Sequence, residues 1–161
     1  MRRVAIALAV AVLGTAHAAD GHNGIRFDMK REDLQRMGFV CRDSTEESTR
    51  GQVRCAHMEM TGRAFSKNLE RYRVDLGPDG AILQILADLV DPPTTLGGMT
   101  NITDDMRLFY PIEHQFPPEY RRLMPNVFRY SNSEGAGVQF GYFARSRTAS
   151  IIFYPKGSMK P

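Results

Sequence analysis

Apolar and polar residues alternate most strictly over residues 69–76, where Tyr72, Val74 and Leu76 fall on one side of an extended chain and Arg71, Arg73 and Asp75 on the other. The next four residues, Gly77-Pro78-Asp79-Gly80, put Pro where a type I turn wants it and Gly where a positive φ follows, so a hairpin is predicted. Its return run, residues 81–90, is apolar on both sides, with Leu83, Ile85, Ala87 and Leu89 on one and Ile82, Leu86 and Val90 on the other. A strand that is apolar on both faces belongs in the middle of a sheet.

Upstream, a polar leader (19–23) precedes a short strand at residues 25–27, and Asp28 can cap a helix over 30–37 whose apolar face is Met29, Leu34 and Met37. Glu32 and Asp33 favour its first turn, and Gly38 suits the left-handed position just past its end. Strands are predicted at 39–42 and 52–60, separated by the polar segment 43–51, and residues 61–68 read as a loop. Beyond Asp91-Pro92-Pro93, a Gly-rich linker leads to Asn101 as the cap of a helix ending at Tyr110, with Ile102, Met106, Phe109 and Tyr110 on one stripe. A short helical turn follows at 118–124, bounded by Pro117-Pro118 and Pro125. Strands at 127–130, 138–144 and 151–154 complete the pattern, with Gly135-Ala136-Gly137 as a hairpin turn and a loose tail from Tyr154 onward. These elements predict one α+β domain over 19–161: an antiparallel sheet of about five to seven strands with two or three short helices on one face.

Residues 1–18 have the order of a secretory signal: Arg2 and Arg3, an apolar run at 4–13 too short to span a bilayer, then small residues ending in Ala16-His17-Ala18. Cleavage after Ala18 is expected, with a periplasmic or secreted product and no stable membrane insertion. The signal changes the charge reading. The chain has 21 Lys and Arg against 18 Asp and Glu, but removing Arg2 and Arg3 leaves 19 against 18. A balance of that kind, without a basic block, gives no case for nucleic acid. In an exported chain the two cysteines, Cys41 and Cys55, most simply form one disulfide, since their spacing is not the Cys-x-x-Cys of redox motifs.

The stretch Gly24-Ile25-Arg26-Phe27-Asp28-Met29-Lys30-Arg31-Glu32-Asp33-Leu34-Gln35-Arg36-Met37-Gly38-Phe39 resembles the opening of small bacterial envelope proteins of the BamE and β-lactamase-inhibitor-protein type. The resemblance covers about a tenth of the chain and departs at Lys30, where that pattern usually has Ser or Thr. It implies a helical unit packed on an antiparallel sheet, in a protein that acts by binding other proteins.

Candidate chemistry is sparse. Acid-base catalysis needs a base held beside a nucleophile or a second acid. The chain beyond residue 18 has His22, His57 and His114, of which His22 lies in the leader and His114 in a Pro-bounded loop, each read as a solvated side chain. There is no Gly-x-Ser-x-Gly elbow and no His-Glu-x-x-His. In Cys55-Ala56-His57-Met58-Glu59-Met60, strand alternation puts Met58 and Met60 on one face and His57 on the other, which separates the ligands a Cu(I) ion would need and makes the methionines core candidates. The expectation is a non-enzymatic module without a cofactor that binds another envelope protein, as an inhibitor, immunity factor or assembly accessory. Arg71 and Arg73 on the hairpin, with Arg145 and Arg147 at a turn, form its candidate interaction face. A small-ligand or metal binder is the alternative, and a hydrolase with a site assembled at long range comes third.

Overall fold

The computed structural model describes residues 20–123 and 125–159; the expected signal segment lies outside them. Two very short strands, β1 (Gly21–His22) and β2 (Ile25–Arg26), pair as a hairpin that places Ile25 fully in the core. Helix α1 (Arg31–Arg36) follows, buries Leu34, and ends at Gly38 with φ +93°, as predicted. Its N-cap is Lys30 instead of Asp28: the Asp33 carboxylate accepts the Lys30 N–H at 2.9 Å, while Asp28 is taken by Arg26.

Strand β3 (Val40–Asp43) and the long β4 (Val53–Ala64) are joined across the polar segment, which makes one turn of tight helix at Glu47–Thr49 and buries nothing there. Cys41 and Cys55 stand directly opposite each other and are joined by the expected disulfide. Strand β5 (Lys67–Leu76) follows immediately, so the loop expected at 61–68 is a correction: it is a tight hairpin whose central residues, Phe65 and Ser66, both have positive φ. No glycine announces that turn. It is held by the Phe65 ring, whose centroid lies 6.2–6.4 Å from those of Phe109, Tyr110 and Phe153. Strand β6 (Ile82–Leu89) returns across the predicted Gly77–Gly80 turn.

Helix α2 (Leu96–Phe109) starts well before the predicted Asn101. Thr95 is the cap, its Oγ1 accepting the Gly98 N–H at 3.2 Å, and the Gly-rich segment is part of the helix, with Gly98 so close to Pro93 that a Cβ there would press on it. Replacing Thr95 by alanine should cost about 1 kcal/mol and lower Tm by about 4 °C, measured by thermal unfolding. Strand β7 (Ile112–Glu113), helix α3 (Pro118–Leu123) and strands β8 (Val127–Ser131), β9 (Gly137–Phe143) and β10 (Thr148–Tyr154) complete the chain. Residues 155–159 form no loose tail: the Gly157 and Met159 N–H groups bond to Glu134 and Gly135, and Met159 is buried over Gly137.

The main sheet is antiparallel with eight strands in the order β3-β4-β5-β6-β10-β9-β8-β7. The fold is thus mostly sheet, with more strands than the expected five to seven: the short β7, which no pattern in the sequence marks, brings the main sheet to eight. β6 is central, as its two-sided apolarity required. One face of the sheet, with Tyr72, Val74, Ile85, Ala87, Phe140, Ile151 and Phe153, joins Leu34 of α1 and Met99, Ile102 and Met106 of α2 in a single core. α3 buries none of its described side chains. No helix among the described residues is long and apolar enough to cross a membrane.

Candidate functional site

The face of the sheet opposite the core is covered by neither α1 nor α2, and the register lines up its side chains in rows. The middle row crosses six strands: Ala56, Arg73, Leu86, Ile152, Gln139 and Arg129 are successive pairing partners. Leu86 and Ile152 therefore form a half-buried apolar centre with a guanidinium toward each side.

A second row starts with Arg42 opposite Arg54, and continues to Asp75 and Gln84. The Asp75 carboxylate takes Arg54 Nε and Gln84 Nε2, each at 2.7 Å, and Arg42 keeps no carboxylate partner among the described residues. Under the loop after β3, Arg42, Arg54 and Asp75 open on a hollow of about 200 Å³ whose other lining residues are mostly polar, with Val53 among them.

The third row holds Glu70, Asp88 and Ser150. Asp88 is the hub: it accepts hydrogen bonds from Arg73 Nη2 at 2.9 Å and the Ser150 hydroxyl at 2.7 Å, and it forms an ion pair with Arg71, whose Nε lies 3.5 Å away without a hydrogen bond. Arg71 also reaches Glu70, from a bulge that gives it a φ of +50°. Arg71 and Arg73 thus lie together on the open face, as the alternation predicted, but their charge is already met within the chain. Arg145 and Arg147 sit in the β9–β10 turn, at the end of the sheet where Ser150 pairs with Asp88. Both are exposed, and neither takes part in an ion pair among the described residues.

The histidines are where the sequence reading fails most. His22 is not solvated: its ring stacks on Phe153 at 4.2 Å and its Nε2 bonds to the Tyr72 hydroxyl at 3.1 Å. Burial lowers its pKa to about 4 and raises that of Tyr72 to about 12. Next to it Asn23 Nδ2 donates to the Thr61 carbonyl, closing the small hairpin onto β4. His57 packs edge-on against Phe39. Met58 is 64% exposed and Met60 half-buried against the core, because a bulge between His57 and Thr61 breaks the alternation that had paired them as core residues. No cluster of three His, Cys, Asp or Glu suited to a metal forms among the described residues.

His114 is half-buried, with its Nε2 2.7 Å from the Ser131 hydroxyl. Serine and imidazole at that distance are the atoms of a nucleophile and its base, yet Ser131 is fully buried, so the pair fixes the imidazole and offers no hydroxyl to an incoming carbonyl. Beside it, along the edge of β8, lies a cleft of about 330 Å³ lined by residues of 113–116, Arg121, Pro125 and β8. Arg129 stands in its wall, and no local signal in the sequence marks it out. Among the aromatics of β9, Phe140 is fully buried and Phe143 is the exposed one, on the open face beside Gly141.

No protein-family model, curated protein or solved structure matches the chain.

Proposed function

We propose that the protein is an exported, non-enzymatic binding module whose open sheet face receives an acidic surface of another envelope protein. The observation that carries this reading is the layout of the face: an apolar centre at Leu86 and Ile152, arginines locked in place by Asp75 and Asp88, and further arginines at the margin (Arg42, Arg145 and Arg147) with no carboxylate of their own among the described residues. Protein interfaces combine an apolar middle with a polar rim and are enriched in arginine, whose planar fork pairs with carboxylates. The locked arginines give the face a fixed shape, and the marginal ones give it a charge that an acidic partner neutralises. The resemblance of residues 24–39 to envelope proteins that act by binding supports the same reading.

The test is a photo-crosslinking residue placed at Gln84 on the open face or at Leu108 on the exposed side of α2, in protein produced in its own cell envelope. One discrete adduct is expected from position 84 and none from 108, and it should vanish in R42E/R145E/R147E. Equal crosslinking from both positions, or none from 84, would sink the reading.

A further inference from the structure

The cleft beside β8 contains a cation whose surroundings are built but whose charge is unanswered. Arg129 donates Nε and Nη2 to the single amide oxygen of Gln139, at 3.0 and 2.6 Å. Its guanidinium lies 4.8 Å from the Phe116 ring centroid and 5.8 Å from that of Tyr154, so two aromatic rings and an amide hold it in one plane. A guanidinium has five N–H donors; Gln139 takes the side edge and the Tyr154 hydroxyl is a further hydrogen-bond partner, and the end edge carries the remaining donors. That edge matches a carboxylate. No carboxylate of the chain answers it: no ion pair among the described residues involves Arg129, and Glu113, the one acid lining the cleft, is held by Arg107 at 3.1 Å and Gln115 at 3.0 Å.

A second guanidinium faces the same space. Arg121 lines the cleft, spends Nε on the Phe116 carbonyl at 2.8 Å, and has no ion-pair partner among the described residues. Phe116 therefore positions both cations, one through its ring and one through its backbone. Pro125, Val127 and Phe128 supply apolar wall, and the imidazole of His114 is fixed by Ser131. Two uncompensated arginines, an aromatic ring and an apolar wall around about 330 Å³ make a space at the small end of ligand sites.

We infer that this cleft binds a small carboxylate with an apolar or aromatic tail, the acid group on Arg129 and Arg121 and the tail against Phe116 and Val127. The site lies at the β8 end of the open sheet face, where the middle row ends in Arg129, and small-molecule binding tests it without reference to the crosslinking that tests the protein-binding reading. The carboxylate comes either from a free organic acid or from the C-terminus of a peptide, and two probes separate these sources.

The experiment titrates the purified, oxidised full chain with hydrocinnamate, N-acetylphenylalanine, the neutral hydrocinnamamide and inorganic phosphate, followed by amide NMR shifts and calorimetry. At least one of the two carboxylates should bind with a Kd of about 1 mM or tighter, as expected for a ligand of that size. The amide should bind about tenfold more weakly, because it cannot satisfy the charged fork. Shifts should centre on 114–116 and 127–129. R129Q and R121Q should each weaken binding about tenfold, with R145Q as an unaffected control; thermal unfolding verifies that each variant is folded. R129K keeps the charge but loses the planar fork and should also bind more weakly. Tighter binding of hydrocinnamate identifies a free acid as the source, and tighter binding of N-acetylphenylalanine a peptide end. No binding by either carboxylate, equal binding of the amide, phosphate as the sole ligand, or an R129Q protein that binds like the parent would overturn the inference.

Discussion

Removing the disulfide with C41A/C55A should lower the unfolding free energy by about 3 kcal/mol, the chain-entropy value for closing a loop of this length. The size follows from what the bond holds. The two cysteines are 14 residues apart, and the segment between β3 and β4 packs no side chain of its short helical turn into the core. β3 is a four-residue edge strand whose Val40 is 63% exposed, so little burial ties it to the sheet. Cys55 is fully buried, which places one end of the tether in the core while the other stands on the edge. Urea unfolding of the oxidised protein, the reduced protein and the double variant measures the effect. The reduced and double-variant proteins should agree within about 1 kcal/mol and be cut by protease between residues 44 and 52. A loss below about 1 kcal/mol would mean that pairing of β3 with β4 survives on its own hydrogen bonds.

Acid should weaken the fold through His22, and by a similar amount. The imidazole is neutral in the folded protein, stacked on Phe153 and bonded to Tyr72, with its pKa lowered from 6.5 to about 4 by burial. In the unfolded chain it takes up a proton near pH 6.5, and in the folded chain only near pH 4. The stabilisation is therefore complete above pH 6.5, is lost progressively as pH falls to about 4, and changes no further below that. At 1.36 kcal/mol per pH unit the window is worth about 3 kcal/mol. Carboxylates titrate over part of the same range, so the comparison is with H22F, which keeps a ring against Phe153 and has no proton to gain. Between pH 7.5 and pH 4.5 the parent should lose about 2 to 3 kcal/mol more than H22F by urea unfolding, with Asn23 and Ile25 among the first amides to lose exchange protection. Parallel pH profiles for the two proteins would show that His22 is solvated in both states.

Local patterns carried the β5–β6 hairpin, the place of β6 in the middle of the sheet, the end of α1 at Gly38 and the disulfide. Each depends on residues close in sequence or on a cysteine count. The same logic failed at Phe65 and Ser66, where the turn is held by rings from α2 and β10, and at Thr95, whose helix runs through two glycines. The alternation placed Arg71 and Arg73 on one face, but it could not show that Asp88, itself held by the Ser150 hydroxyl across the β6–β10 pair, would engage them.

The sequence by itself determined which segments extend and which turn sharply, because period and turn chemistry are local facts, and its two cysteines left a single pairing to make. Only the tertiary structure decided what surrounds each polar side chain. His22 leaves a polar leader for an aromatic stack, and Arg129 is caged by Phe116, Gln139 and Tyr154 from three separate segments. Burial and pairing depend on strands that meet across long stretches of chain, and a periodicity of two or 3.6 residues carries no information about which strands those are.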